Sequence, residues 1–147
     1  MKTIRSSRRI PGDATSAALL LSGPRALDLW PGLRRVHTAP GRYAALGPVG
    51  DDPLAPVVVR ADPPLRTATA YLTRFHVTGD HLPQASGQLR VHSSWTAGQP
   101  GTDVEVSLAG DGWADALHHQ MSTAVEGFLD NLTHATGENS TPHPTPA

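Results

Sequence analysis

The segment from Trp113 to Thr136 constrains this chain more than any other. Trp113, Leu117, Met121, Ala124, Phe128, Leu132 and Ala135 recur every three or four residues, the spacing that puts side chains on one face of an α-helix. Asp115, His119, Ser122 and Glu126 fall opposite. The pattern predicts a helix of about 24 residues, roughly 36 Å long, with Asp111 as candidate N-cap and Gly137 as its stop. Gly127 sits at the edge of the stripe. It reads either as a close helix–sheet contact or as room left for a ligand. A helix with one apolar face needs a second surface to cover it.

Upstream the hydrophobic period drops to two. Val104, Val106 and Leu108 alternate with Asp103, Glu105 and Ser107, and Leu89, Val91, Ser93 and Trp95 with Gln88, Arg90, His92 and Ser94. Arg66 to Thr78 reads as one longer strand. One face carries Thr67, Thr69, Tyr71, Thr73, Phe75 and Val77; the other carries Arg66, Ala68, Ala70, Leu72, Arg74 and His76. Leu33–Ala39 and Arg42–Leu46 flank Pro40-Gly41 as a hairpin, Gly47–Pro56 reads as loop, and Val57–Val59 as a short strand. Met1–Ile10 is a first strand of poor alternation. Asp13 is placed to cap a helix over 14–21 that Gly23 ends. Pro24 then opens a second short helix, closed by Pro31-Gly32. Alternation this strict belongs to antiparallel strands with one wet face. The predicted class is α+β, a helix grip: a curved antiparallel β-sheet wrapped around a long C-terminal α-helix, with two short helices after the first strand. The domain spans 1–136, and 137–147 is expected to be a flexible tail.

Composition narrows the function. A chain of 147 residues suits one domain. The formal net charge is −1, so no global field draws it to nucleic acid or an anionic membrane. The second short helix carries one cation, Arg25, too little to read a DNA groove. No nucleic-acid partner is expected. No apolar run approaches the roughly 18 residues that span a bilayer, so no membrane insertion is expected. Arg8-Arg9 ahead of Ala17–Leu21 loosely matches an export signal, but the run is short and no A-x-A site follows. A cytoplasmic protein, monomeric or homodimeric, is the expectation. Cysteine is absent, which excludes disulfides and thiolate chemistry. His118 and His119 are adjacent on a helix, so their rings diverge by about 100°. Asp115 with His119 has i,i+4 spacing but lacks a third ligand, and no metal is expected. Gly110-Asp111-Gly112 lacks the third glycine of a dinucleotide fingerprint, and no cofactor is expected.

Three segments carry a resemblance. Leu29-Trp30-Pro31-Gly32-Leu33 is similar to the passage from second helix to first hairpin in the START-like helix-grip superfamily, also called SRPBCC. Asp62-Pro63-Pro64-Leu65-Arg66 is similar to the Pro-Pro-x-Arg entry to a central strand in its bacterial polyketide cyclase/dehydrase-like members. Gly101-Thr102-Asp103-Val104 is similar to their turn into the last strand. Gly47–Asp52 departs from the family's Gly-rich strand. The resemblance covers about residues 2–136 and implies a cavity between sheet and helix for an apolar ligand: a lipid, a polyketide or another aromatic.

In that arrangement the cavity residues are Trp30, Thr69, Tyr71, Thr73, Phe75, Leu89, Val91, Ser93, Trp95, Val106, Leu117, Met121 and Phe128. Each could equally be ordinary core. Threonines alternating with aromatics tilt the reading to a pocket, because buried hydroxyls need partners and a ligand supplies them. Three functions follow. The first is binding of a hydrophobic small-molecule ligand. The second is a cyclase/aromatase-type enzyme catalysing aldol cyclisation and dehydration, with Tyr71 as a weak candidate proton donor and no other catalytic residue assigned. The third is a protein-interaction module whose cavity is filled.

Overall fold

The computed structural model describes residues 2–80, 82–96 and 98–140. Eight strands form one antiparallel sheet: β1 (Lys2–Ile10), β2 (Arg34–Ala39), β3 (Arg42–Val49), β4 (Asp52–Ala61), β5 (Leu65–Arg66), β6 (Ala70–Gly79), β7 (Leu82–Thr96) and β8 (Gln99–Gly110). The order across the sheet is β1-β8-β7-β6-β4-β3-β2, with β5 paired to β6. Between β1 and β2 come α1 (Ala14–Ser22) and a 3-10 helix, Pro24–Leu29. The chain closes with α2 (Asp115–Ser140). This is the expected α+β helix grip.

Local chemistry accounts for the two short helices. The Asp13 carboxylate accepts the Ser16 amide at 3.1 Å and the Ser16 hydroxyl at 2.7 Å, satisfying a donor that the first turn of α1 leaves open. Pro24, with its fixed φ and missing N–H, opens the 3-10 helix.

The main core lies where α2 crosses β1, β8 and β7. Val125, Phe128, Leu129 and Leu132 of α2 are fully buried, as are Val104 and Val106 of β8. Val125 and Leu129 lie outside the expected stripe, so the buried face of α2 is wider than a simple heptad reading suggests. The poor alternation of β1 has a physical reason. Lys2, Ile4, Ser6, Arg8 and Ile10 share the side facing α2. Ile4 and Ile10 enter the core, while the polar three meet the helix's acids. Lys2 pairs with Asp115, and Arg8 with both Asp130 and Glu126. Ser6 Oγ donates to Glu126 at 2.5 Å. Arg8 and Arg9 are thus built into β1, opposite Val104 and Asp103.

Three expected boundaries are corrected. Gly47–Pro56 is not a loop but the end of β3, a turn, and the start of β4. The register shifts across Pro48, and β4 gains β6 as a second neighbour only from Val57. Each proline therefore sits where its missing N–H interrupts no ladder. Arg66–Thr78 is not one strand. The Thr67 hydroxyl takes the Ala70 amide at 3.0 Å and donates to the Ala70 carbonyl at 3.1 Å, a side-chain turn that separates β5 from β6. Asp111 does not cap α2, which starts at Asp115, and Gly137 does not end it. Of the expected tail, 137–140 continue the helix and 141–147 lie outside the described residues.

Two outcomes follow. Leu129→Ala should lower stability by about 2–5 kcal/mol, read as a shift in urea midpoint at unchanged slope. The second concerns acid. Hydrogen bonds from Ser16 hold the Asp13 carboxyl below its ordinary value, and the Lys2 ammonium does the same for Asp115. Both groups favour the folded state above their unfolded pKa, and that contribution is lost as pH falls through the depressed folded values. The melting temperature should therefore fall below about pH 4, and less steeply in an Asp13→Ala/Asp115→Ala double variant.

Candidate functional site

Where α2 leaves the dry core, a hollow of about 610 Å³ opens between helix and sheet. The sheet contributes Tyr43 and Val49 of β3, Val57 and Val59 of β4, Thr73, Phe75 and Val77 of β6, and Leu82, Ala85 and Leu89 of β7. The end of α1 and the 3-10 helix add Leu21, Ala26 and Leu27, and Trp30 follows them; α2 adds Met121, Ala124 and Gly127. Trp30 stacks on Phe128 with centroids 4.5 Å apart, so this ring pair divides the hollow from the solid core. At the other end Trp113 is buried, its indole where a Cβ on Gly110 would lie and its Nε1 donating to the Pro83 carbonyl at 3.4 Å. Gly87 likewise makes room for the ring of Phe75.

Two contacts tie α2 to the β3 side. Gly127 presses on Pro31, close enough that a Cβ would overlap the proline ring. The close contact anticipated at Gly127 thus exists, but with Pro31 rather than the sheet, and the glycine also borders the hollow. Seven residues earlier, Gln120 Oε1 accepts the Gly50 amide at 2.8 Å and its Nε2 donates to the Gly50 carbonyl at 3.4 Å. Gly50 adopts φ +60° at this turn. Between the two contacts, the exposed His119 and Thr123 edge the hollow.

The expected cavity residues divide. Trp30, Thr73, Phe75, Leu89 and Met121 border the main hollow. Val106 and Phe128 belong to the dry core, and Leu117 packs against both core clusters. Val91 and Tyr71 line a smaller hollow of about 230 Å³ beneath α1, which Thr73 and Leu89 also border. Thr69 and Ser93 are corrected to exposed positions: Thr69 lies in the turn that Thr67 organises, and Ser93 lies near the end of β7. The Trp95 side chain lies outside those described. The weak proton-donor candidate, Tyr71, has its hydroxyl 3.2 Å from Thr15 Oγ1 and its ring beneath Arg66; it does not border the main hollow.

Sequence reasoning missed Tyr43, Gln120 and His119. Tyr43 alternates correctly on β3, a signal that was there to use. Gln120 sits beside the apolar stripe and His119 opposite it in the sequence pattern, yet both line the hollow, Gln120 held there by the Gly50 turn. Among the described residues no three acidic or imidazole groups gather as a metal site would need.

Solved structures share this architecture across nearly the full chain. XoxI from Bacillus cereus superposes with a TM-score of 0.73 at 13% identity, covering 97% of this chain and 100% of that one. A conserved protein from Geobacillus kaustophilus gives 0.68 at 8%, covering 95% and 98%. DynU16, of the dynemicin biosynthetic locus, gives 0.58 at 17%, covering 95% of this chain and 49% of its own. The fold is the helix grip. Identities this low establish the fold and nothing finer. No protein-family model matches the chain, and no curated protein does. No helix of the described residues is long and apolar enough to cross a membrane.

Gln120→Leu keeps the bulk of the side chain but removes both bonds to Gly50. Hydrogen exchange at the Gly50 amide should accelerate, while the amides of Val104 and Val106 in β8 stay protected.

Proposed function

We propose that this protein binds one apolar small molecule in the hollow between α2 and the sheet. The observation that carries the reading is a cavity of about 610 Å³ with walls almost wholly of aliphatic and aromatic side chains. The chemistry of the walls decides what such a space holds. Water needs two to four polar partners per molecule, and few are offered: Ser22, Tyr43, Thr73, His119 and Thr123, since Gln120 is engaged with Gly50. An apolar guest matches the walls better, with those few groups left to orient it.

The cyclase reading loses its one candidate, because Tyr71 is turned to the smaller hollow. No acid–base pair replaces it in the main one, so binding without chemistry is the better-supported function. A silent module with a filled cavity fits poorly with a space of this volume.

Native mass spectrometry of freshly purified protein should show a copurified small molecule, extractable into organic solvent. Ala124→Trp, which projects an indole into the hollow, should abolish that mass and raise the melting temperature of ligand-free protein. A parent protein that is ligand-free, and silent in thermal-shift assays with lipids and aromatics, would refute the reading.

A further inference from the structure

Beside the main hollow, the smaller one lies between α1 and strands β5, β6 and β7. The two share Leu21, Ser22, Thr73 and Leu89 as a common wall. Their chemistry differs. Arg66 of β5 stands over the Tyr71 ring, its guanidinium carbon 5.5 Å from the ring centre. Among the described residues no carboxylate pairs with Arg66, as is also true of several other surface arginines; Arg66 differs from them in bordering this hollow. The Thr15 and Tyr71 hydroxyls meet beside it. Leu19 and Leu65, 71% and 52% exposed, border the same small hollow.

We infer that this smaller hollow receives the head group of the ligand, and that the ligand is a carboxylate-bearing amphiphile whose tail reaches the main cavity. The inference rests on the cavity holding an apolar molecule. A guanidinium held over a ring by cation–π attraction keeps its edge donors for a carboxylate, which matches that edge with two parallel bonds. One cation suits one negative charge; a phosphate dianion would be half neutralised. The leucines give the first part of a tail apolar contact at the rim. A tail that reaches the main cavity must displace Leu21, in the last turn of α1, from the common wall. A head group at a wet rim keeps its hydration while the tail is buried, so the carboxylate need not be fully desolvated.

The test titrates cis-parinaric acid and its methyl ester into the full chain at pH 8 and low salt, following probe fluorescence. The acid should bind about fivefold more tightly than the ester, as expected for a partly exposed ion pair. Arg66→Gln should bring the ratio near one, whereas Arg60→Gln, on the opposite face of the sheet, should keep the parent ratio. Equal affinities for acid and ester in the parent would overturn the head-group assignment and leave the cavity reading standing. A ratio that survives Arg66→Gln would overturn it too. Failure of both probes to bind would remove the cavity reading, and this inference with it.

Discussion

The hollow depends on how α2 is held. One half of the helix is committed to a dry contact, with Val125, Phe128, Leu129 and Leu132 against β8 and its neighbours. Its outer edge is tied to β1 by Lys2, Ser6 and Arg8. Individually such exposed pairs contribute little. Their value is positional, because three of them on alternate residues of one strand fix the helix lengthwise against the sheet. Across the helix, Gly127 on Pro31 and Gln120 on Gly50 hold the other edge. A rod anchored along both edges cannot sink into the concavity beneath its first half. Space remains there because nothing large enough to fill it comes from Ala124, Gly127, Ala26 or Ala85.

That arrangement explains the division of the aromatic rings. Trp30 and Phe128 use their area to close the hollow against the core. Trp113 closes the far end and is accommodated only because position 110 lacks a side chain. Phe75 is accommodated the same way over Gly87. Large rings thus bound the volume while small residues preserve it. A core evolved only for stability would place large side chains opposite small ones until the gap closed, since voids cost stability in proportion to their volume.

Much of the fold was legible in the sequence because its signals are local. The stripe of α2, the alternation of β8, the Asp13 cap and the Pro40-Gly41 turn each follow from residues within one element. The misreadings share a different origin. Pro48, Pro53 and Pro56 look like loop formers until it is known that β4 has no β6 partner at that end. Thr67 looks like a strand residue until its hydroxyl takes a backbone amide three residues on. Gly137 looks like a stop, yet the helix runs through it. In the candidate site, alternation found the inward face of β6 but could not say where along it the hollow ends and solid core begins. That boundary is set by how far the helix stands from the sheet, a long-range quantity with no one-dimensional signature. Thr69 was misplaced because the Thr67 turn takes it off the strand, and Val106 and Phe128 were on the correct face at the wrong depth.

The distribution of polar groups bears on chemistry as well as recognition. Aldol and dehydration steps need a proton donor or acceptor within hydrogen-bond reach of a bound carbonyl, held in a fixed orientation. The described polar side chains that line the main hollow are the hydroxyls of Ser22, Tyr43, Thr73 and Thr123, the Gln120 amide and the His119 imidazole at an exposed edge of α2. None is oriented by a second charged group in the way an acid–base pair is. Among the described residues, the ionisation of Asp13, Arg35 and Asp115 is displaced by Ser16, Asp28 and Lys2, away from the hollow. Asp13 caps α1, Arg35 and Asp28 join β2 to the 3-10 helix, and Asp115 joins α2 to β1. Apolar walls with few polar groups suit a guest recognised by shape and hydrophobicity, as the proposed binding function requires.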